Sequence, residues 1–255
     1  MPYAINNGIQ TYYQVEGEGP PLVLHHPLGE SLACWYEYGY VEALRGHYQL
    51  ILIDGRGHGK SDKPHAPEAY DLKPRAADIT AVLDDLAVER AHYFGYSMGA
   101  WLGFGLAIHA PERVASLILG GAQPYGQSFA FFRQVLDNGI GAFGELFQKL
   151  SSPYPSDVDR ILANDLPAIR AAVANDRPDV SAHLPSMTMP CLLFAGDADP
   201  IHYLVEQCSR ELPNARFCSL PGLNHFQTFL RSDLVLPHVT RFLAETTRSQ
   251  SFQPV

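Results

Sequence analysis

The clearest pattern along the chain is a series of short, uninterrupted apolar runs separated by turns rich in glycine, proline and aspartate. These runs cover residues 22–24, 50–53, 114–119 and 191–195, and a further one leads into Gly95. Runs without polar alternation are typical of strands buried on both faces, as in a parallel sheet covered by helices. Residues 10–15 and 216–220 also have strand-like composition. The pattern predicts an α/β protein with a mostly parallel sheet.

Helical periodicity lies between these runs. An amphipathic helix is predicted where four apolar residues recur at i, i+3, i+4 and i+7. These residues are Ile79, Val82, Leu83 and Leu86. The opposite face carries three carboxylates that we interpret as solvated charge without a function, Asp78, Asp84 and Asp85. Further helices are predicted over residues 33–44, 100–109, 204–212 and 226–244.

The character of the chain changes between residues 122 and 187, where prolines interrupt short helical stretches. We therefore predict a discontinuous α/β core (1–121 and 188–247), a helical cap (122–187) inserted over the sheet edge, and a polar, disordered tail (248–255). The cap is rich in aromatic residues, namely Tyr125, Phe129, Phe131, Phe132, Phe143, Phe147 and Tyr154. Some of these rings are expected to line a pocket, and the others to form the core of the cap.

Composition narrows the classes of function. Of the 255 residues, 46% are hydrophobic and 18% are charged, which suits a globular protein with a large core. The formal net charge of −9 and the lack of a Lys/Arg cluster argue against a nucleic-acid partner and against anionic membrane surfaces. The N-terminal residues do not resemble a signal peptide, and no apolar stretch reaches the length of a membrane span. We therefore expect a cytoplasmic protein.

The four cysteines form no Cys-x-x-Cys pair and no zinc-like spacing, so neither a metal site nor a cofactor is predicted. Cys191 lies in an apolar run, which indicates a buried thiol. A disulfide between Cys208 and Cys218 is compatible with the sequence, but we expect these residues and Cys34 to be reduced thiols.

The candidate chemistry centres on residues 95–99, Gly-Tyr-Ser-Met-Gly, where an apolar run turns into a helical segment rich in small residues. Such a turn forces its central residue, Ser97, into a strained backbone conformation. Gly95 and Gly99 suit the turn because a side chain at either position would collide with the neighbouring element. The Ser97 hydroxyl is then exposed at the top of the sheet. The Met98 amide faces the oxyanion that forms when Ser97 attacks a carbonyl.

A second glycine-rich stretch, residues 55–61, suggests a nucleotide-binding loop. A P-loop ending at residues 59–61 needs glycine at position 54, which is Asp54. A dinucleotide fingerprint starting at Gly55 needs glycine at position 60, which is Lys60. Both interpretations fail, and we predict that the stretch forms tight turns beneath the rim of the site.

A serine hydroxyl needs a base to take its proton, and that base needs an orienting partner. Asp199 follows a buried strand, and His225 follows the last predicted strand. Because parallel strands end at the same edge of a sheet, both side chains are predicted to meet Ser97 there. Asp197 is a rival acid, but Pro200 would start the next helix and hold Asp199 at the rim.

Three other histidines are rival bases, His58, His202 and His238. Each falls on a predicted helix or on a distant loop, where a packing or surface role is the more ordinary one. We therefore prefer His225 as the base.

With these residues in place, the chain resembles the α/β-hydrolase superfamily over nearly its whole length. The resemblance is carried by residues 54–61, 95–99, 196–200 and 222–225. It implies the α/β-hydrolase fold, a mostly parallel, doubly wound sheet flanked by helices. It also implies Ser97 as nucleophile, His225 as general base and then acid, and Asp199 as its partner. A serine nucleophile argues against haloalkane dehalogenases and epoxide hydrolases, which place an aspartate at that position.

One departure from the family concerns the second oxyanion donor, a backbone N–H that follows a His-Gly pair. Here residues 25–29 read His-His-Pro-Leu-Gly, and direct alignment places Pro27, which has no N–H, at the donor position. Either the loop shifts so that Leu28 donates, or a side chain such as His26 does, or the hole is incomplete. We predict that Leu28 donates together with Met98.

These inferences predict a serine hydrolase of small carboxylic esters or lactones with an apolar portion, acting through an acyl-enzyme on Ser97. The Leu28-Gly29 loop and the chain length resemble 3-oxoadipate enol-lactonase-like esterases. An anionic lactone of that kind would need a basic residue in the pocket. The cap offers Arg133, Lys149, Arg160, Arg170 and Arg177. The alternatives are acyl transfer, perhydrolysis or carbon–carbon bond hydrolysis on the same triad, and a ligand-binding receptor with little turnover.

Overall fold

The computed structural model describes residues 2–154 and 158–251. The strands are β1 (Tyr3–Asn6), β2 (Ile9–Glu16), β3 (Pro21–His25), β4 (Gln49–Ile53), β5 (Ala91–Tyr96), β6 (Val114–Gly120), β7 (Cys191–Gly196) and β8 (Ala215–Leu220). The helices are α1 (Ala33–Glu37), α2 (Tyr40–Leu44), α3 (Leu72–Asp85), α4 (Met98–His109), α5 (Ala130–Asp137), α6 (Ile140–Ser151), α7 (Val158–Leu162), α8 (Leu166–Ala172), α9 (His202–Glu211), α10 (His225–Leu230) and α11 (Ser232–Ser251).

The strands form one sheet in the order β1-β2-β4-β3-β5-β6-β7-β8. Neighbouring strands from β4 to β8 are all parallel, and only the pairings of β2 with β1 and with β4 are antiparallel. The predicted mostly parallel sheet is therefore confirmed. The edge strand β1 was not predicted, because its four residues carry only a weak pattern.

Helices cover both faces of the sheet. Every residue of β5 and β6 is buried, as the uninterrupted apolar runs predicted. Side chains of α3, α4 and α9 form the core on one face, and those of α1, α2 and α11 form it on the other. The doubly wound arrangement brings the C-terminal ends of the parallel strands to one edge, where loops carry polar side chains.

Two helices predicted as continuous are interrupted in the structure. The segment 33–44 divides into α1 and α2 at Gly39, whose φ of +79° is incompatible with a continuing helix. The last predicted helix divides into α10 and α11 at Arg231. Helix α11 then runs on to Ser251, so the predicted disordered tail does not begin at residue 248. Residues 252–255 lie outside the described part of the chain.

The interpretation of Asp78 as solvated charge is wrong. Its side chain is 5% exposed, and its carboxylate accepts hydrogen bonds from Nε and Nη2 of Arg56 at 2.9 and 2.7 Å. The Asn6 side chain donates to the same carboxylate at 2.8 Å. Asp78 thus joins α3 to β1 and to the loop after β4. Asp84 and Asp85 are exposed, as predicted.

The chain between β6 and β7 carries α5, α6, α7 and α8, together with a short 3₁₀ helix at Ser181–Ser186. Its aromatic and aliphatic side chains form a small core of their own, against which Leu28 and Phe226 pack. These contacts hold the segment above the ends of β3 and β8. Within the described residues, no helix is both long and apolar enough to cross a bilayer.

Candidate active site

Ser97 lies at the sharp turn between β5 and α4. Its backbone has φ +51° and ψ −105°, a conformation that is costly for a residue with a side chain. A Cβ added to Gly99 would lie 2.0 Å from the His25 carbonyl oxygen, and one added to Gly95 would lie 2.3 Å from the Gly99 carbonyl carbon. The predicted close approach at both glycines is confirmed, and it leaves the Ser97 side chain partly exposed at the sheet edge.

The structure brings three of the predicted side chains together. The Oγ of Ser97 lies 3.0 Å from Nε2 of His225, and Nδ1 of the same ring lies 2.7 Å from Oδ2 of Asp199. These groups come from the C-terminal ends of β5, β7 and β8, and β6 lies between β5 and β7 in the sheet. Their alignment permits a proton to pass from the hydroxyl to the imidazole while the carboxylate orients the ring.

His225 is the first residue of α10 and not part of an open loop. Asn224 precedes it as the helix N-cap, and its Oδ1 accepts from the amides of Phe226 and Gln227, both at 3.0 Å. The Tyr96 hydroxyl donates to the His225 carbonyl at 2.6 Å. These bonds fix the backbone on both sides of the imidazole, so the orientation of the ring does not depend on a mobile loop.

Asp199 is almost completely enclosed, with a side chain that is 2% exposed. Its second oxygen, Oδ1, accepts from the Ile201 amide at 3.1 Å. Burial alone would raise the pKa of this carboxyl, but the charge of His225 and the hydrogen bond from it keep the pKa of Asp199 below its ordinary value. Asp199 is therefore held as a carboxylate against the imidazole.

The rival residues lie elsewhere. Asp197 accepts from the Gly222 amide at 2.7 Å and so holds the turn before His225. His202 lies on α9 and contacts the Ser219 hydroxyl at 2.8 Å, and His238 is an exposed residue of α11. None of these side chains is within hydrogen-bonding distance of Ser97.

His58 is also away from Ser97. It is completely buried, and its ring centroid lies 5.1 Å from that of His26. Its role is therefore in packing beneath the loop that carries residues 25–29.

His26 has no proton available for an oxyanion. Its Nε2 lies 2.9 Å from the Gly55 amide, which can only donate, so the ring proton is on Nδ1. Nδ1 in turn donates to the Pro27 carbonyl at 2.8 Å. Burial lowers the pKa of His26, consistent with a neutral ring. The structure thus removes His26 from the candidate oxyanion donors.

The same contacts orient the peptide that joins Pro27 to Leu28. The Pro27 carbonyl accepts from both His26 Nδ1 and the Glu30 amide, the latter at 3.2 Å. In a trans peptide the N–H points opposite to the carbonyl, so the Leu28 N–H points away from these two donors. No described residue accepts from the Leu28 or the Met98 amide. Leu28 and Ser97 line the same cavity.

The glycine-rich stretch supports this loop from below, as tight turns. Asp54 accepts from the amides of Leu32 and Lys60 at 2.7 and 2.8 Å, and the Ser61 hydroxyl donates to the Asp54 carbonyl at 2.6 Å. A Cβ on Gly59 would lie 2.1 Å from the Asp54 carboxylate. The predicted turns beneath the rim are therefore present, with Gly55 supplying the hydrogen bond to His26.

A cavity of about 420 Å³ opens above Ser97 and His225. Four of the predicted aromatic residues line it, Phe129, Phe132, Phe143 and Phe147. Tyr96, Phe226 and Phe229 of the core add further rings. The lining is thus mostly apolar, and the nucleophile lies at its polar end.

Besides Ser151 and Asn224, the lining contains three polar residues that the sequence did not single out, and one of them is Glu30. Its carboxylate lies 2.9 Å from Nε of Arg160, which also pairs with Glu37. Gln127 and Arg177 are the others, and the Gln127 side chain accepts from Nη1 of Arg177 at 3.0 Å. Arg177 was one of five basic residues noted in the sequence, and nothing in the pattern distinguished it from the rest.

All four cysteines are free, as predicted, and Cys34, Cys191 and Cys208 are buried. Within the described residues, no group of three or more His, Cys, Asp or Glu side chains is arranged to hold a metal ion.

Comparison with known proteins agrees with the observed fold. A family model described as alpha/beta hydrolase fold matches residues 20–169. The cis-3-alkyl-4-alkyloxetan-2-one decarboxylase of Shewanella oneidensis is 29% identical, over 94% of this chain and 87% of its own length. The 3-oxoadipate enol-lactonase 2 of Acinetobacter baylyi is 28% identical, over 73% and 74% of the two chains.

Solved structures show the same relationship. The enol-lactonase from Burkholderia xenovorans superposes with a TM-score of 0.84 at 25% identity, covering 95% of this chain and all of its own. Est816, described as an N-acyl homoserine lactone degrading enzyme, gives a TM-score of 0.77 at 26% identity, covering 94% and 99%. With the fold, the strained serine turn and the family match in agreement, this chain belongs to the alpha/beta hydrolase fold family.

Proposed function

We propose that this protein is a serine hydrolase that cleaves small carboxylic esters or lactones, with Ser97, His225 and Asp199 as its catalytic triad. The observation that supports the proposal most strongly is the 3.0 Å contact between Ser97 Oγ and His225 Nε2, in a ring oriented by Asp199. A serine hydroxyl becomes a useful nucleophile only with such a base beside it. The contact opens into the cavity, where a carbonyl carbon can reach the oxygen.

In the proposed reaction, Ser97 Oγ attacks the carbonyl carbon while His225 Nε2 takes the hydroxyl proton. The tetrahedral intermediate collapses to an acyl-enzyme when His225 returns that proton to the departing alkoxide oxygen. Water then enters, His225 takes one of its protons, and the acid leaves as Ser97 recovers its hydrogen. Asp199 stabilises the imidazolium formed in each half of the cycle and remains a carboxylate throughout.

We propose the amides of Met98 and Leu28 as the donors to the oxyanion. Met98 is the first residue of α4, where amides have no partner within the helix. Leu28 is preferred over a side-chain donor because the peptide before it is oriented by His26 and Glu30. Removal of one such donor typically lowers turnover ~10²–10³-fold, so an incomplete hole would make a poor esterase.

The cavity suggests the substrate class. Its volume of about 420 Å³ and its aromatic lining suit a small acyl or lactone ring with an apolar portion. The names of two relatives, an enol-lactonase and an N-acyl homoserine lactone degrading enzyme, are consistent with lactones. We propose that residues 122–187 act as the cap that closes this cavity, and that the enzyme works in the cytoplasm without metal, cofactor or nucleic-acid partner.

A panel of p-nitrophenyl esters and lactones of graded size tests the proposal. We expect turnover of acyl groups that fit the cavity, and a steep decrease once the acyl chain exceeds it. The Ser97→Ala variant should lose at least ~10³-fold in kcat, because the residual rate comes from binding and the oxyanion donors alone. Absence of turnover on every ester and lactone, or equal turnover by Ser97→Ala, would contradict the proposal.

A further inference from the structure

We propose that Asn224 and Gln227 are positioning residues, which keep the His225 imidazole against Ser97 by binding the start of α10 to the end of α6. The inference rests on the hydrolase function proposed above. It adds a connection between the general base and the segment that joins β6 to β7. The inference depends on two side-chain amides, each of which forms hydrogen bonds with both its oxygen and its nitrogen.

The oxygen of each amide holds the backbone around His225. Oδ1 of Asn224 accepts from the amides of Phe226 and Gln227, both at 3.0 Å. Oε1 of Gln227 accepts in return from the Asn224 amide at 3.2 Å. This reciprocal pair is a capping box, which satisfies backbone amides that have no partner within the helix. The pair fixes the direction in which the chain enters α10, and His225 is the first residue of that helix.

The nitrogen of each amide is bonded to the end of α6. Nδ2 of Asn224 donates to the Leu150 carbonyl at 3.0 Å, and Nε2 of Gln227 donates to the Ser152 carbonyl at 2.5 Å. Both carbonyls lie at the C-terminus of α6, where the last C=O groups have no amide within the helix. The two side chains therefore supply donors that the end of α6 lacks.

Further contacts between α6 and α10 surround these bonds. Phe147 of α6 and Phe226 of α10 pack with their ring centroids 4.8 Å apart. Nη1 of Arg231 donates to the Tyr154 hydroxyl at 3.0 Å. Arg231 follows Gln227 by four residues, so both side chains project from the same face of α10. That face is therefore bound to α6 and to the residues that follow it.

The other side of the His225 backbone is bonded to the core. The Tyr96 hydroxyl donates to the His225 carbonyl at 2.6 Å, and the buried Thr228 hydroxyl donates to the Asn224 carbonyl at 2.8 Å. Without the bonds to α6, the start of α10 is held from this side alone. A displacement of about 1 Å can lower a rate ~10²-fold, so a small shift of the imidazole has a large effect on turnover.

The two roles of each amide can be separated by substitution. Asn224→Ser keeps an oxygen that can cap α10, but the shorter side chain does not reach the Leu150 carbonyl. Gln227→Glu keeps an acceptor for the amide of residue 224, but a carboxylate has no proton to donate to Ser152. The double variant reads Ser-x-x-Glu, the sequence pattern of a capping box. It therefore retains the start of α10 and loses both bonds to α6.

Steady-state kinetics on a p-nitrophenyl ester measures the effect on turnover. We expect kcat to fall about tenfold in each single variant and about 100-fold in the double variant, with a smaller change in KM. The same exchanges at exposed amides, Asn138→Ser after α5 and Gln207→Glu on α9, should leave kcat within about twofold. A folded double variant with the kcat of the wild type would overturn the inference and leave the hydrolase function intact.

A second comparison shows whether the effect passes through the imidazole. In His225→Ala there is no imidazole to position. Adding Asn224→Ser and Gln227→Glu to that variant should therefore leave its residual kcat within about twofold. A further decrease as large as the one measured with His225 present would show a general structural role, and it would overturn the inference.

Hydrogen exchange tests the connection between the helices without relying on turnover. In the double variant we expect the amides of α6 to exchange at least tenfold faster than in the wild type, because the end of that helix loses two donors. The amides of α10 should keep their protection, because the capping box is retained. Unchanged exchange in α6 would overturn the inference whether or not the wild-type protein hydrolyses an ester.

Discussion

The Nε2 atom of His26 accepts a hydrogen bond from the Gly55 amide, 2.9 Å away, and this bond determines which nitrogen of the ring carries the proton. The proton on Nδ1 reaches the Pro27 carbonyl and thereby orients the peptide before Leu28. The glycine-rich loop after β4 is in this way connected to the candidate oxyanion site. His26 acts through the backbone of its neighbour and is a positioning residue.

Replacement of His26 by leucine is expected to lower kcat by about 10- to 100-fold with KM changed less than threefold. The reduction is smaller than the ~10²–10³ typical for loss of a complete oxyanion donor, because Met98 is untouched and Leu28 is only released from its orientation. Steady-state kinetics on a p-nitrophenyl ester measures the split between kcat and KM. His238→Ala, at an exposed position of α11, is the control. A folded His26→Leu protein with unchanged kcat would show that the orientation of this peptide does not matter.

Asp199→Asn is expected to reduce kcat by about 10³–10⁴-fold, because an amide can favour the wrong tautomer of His225 and cannot stabilise its charged form. The matched control is Asp197→Asn, two residues earlier, whose side chain holds the Gly222 amide and not the imidazole. We expect a change of less than about tenfold there. A larger loss of kcat in Asp197→Asn than in Asp199→Asn would show that Asp197, and not Asp199, orients His225.

Buried histidines predict a loss of stability in mild acid. Burial holds the pKa of His25, His26 and His58 below the usual 6.5, and it lowers that of His92 to about 4. Below pH 6.5 these histidines become protonated in the unfolded chain but stay neutral in the folded chain. The free energy of unfolding should therefore fall as the pH drops. The slope is up to about 1.4 kcal/mol per pH unit for each histidine.

Urea unfolding between pH 7.5 and 4.5 measures this slope. The contribution of His92 is present above pH 6.5 and is lost progressively down to about pH 4. His92→Gln should therefore flatten the profile in that interval, whereas the exposed His238→Gln should not. Stability that stays constant from pH 6.5 to 4.5 would be inconsistent with neutral, buried imidazoles.

The buried ion pair of Arg56 and Asp78 predicts a contrast between two acidic residues of α3. Asp78→Ala leaves Arg56, whose side chain is only 5% exposed, without its charged partner. The substitution should therefore lower the unfolding free energy by about 3–5 kcal/mol. Asp84→Ala removes a 67% exposed carboxylate that pairs with Arg113 at the surface, and should cost about 0–1 kcal/mol. Chemical denaturation measures the unfolding free energy of both variants. Similar losses in the two would contradict the buried role of Asp78 and the surface role of Asp84.

Local sequence patterns predicted much of the fold. Continuous apolar runs predicted strands buried on both faces, and the glycines around Ser97 predicted a turn too tight for side chains. The order of Ser97, Asp199 and His225 along the chain, each after a strand, was enough to predict that they meet at one edge. Parallel topology converts positions in sequence into proximity at the strand ends, which is why remote residues could be placed together.

The roles of residues whose partners are remote in sequence could not be predicted from local patterns. Asp78 looked like solvated charge because its partner, Arg56, lies in a loop of another part of the chain. Pro27 suggested an incomplete oxyanion hole, because proline has no N–H. The two hydrogen bonds to the Pro27 carbonyl, which orient the next peptide, are visible only in the structure. Arg177 resembled the other basic residues of the cap until packing enclosed it between Trp101 and Phe129.

The most direct measurement is labelling with a fluorophosphonate probe, followed by peptide mapping of the modified residue. We predict one equivalent of label per chain, located on Ser97, with labelling abolished in Ser97→Ala and slowed at least ~10²-fold in His225→Ala, which lacks the base that activates the hydroxyl. Label found on another residue, or a rate that is unchanged in His225→Ala, would contradict a nucleophile at Ser97 activated by His225.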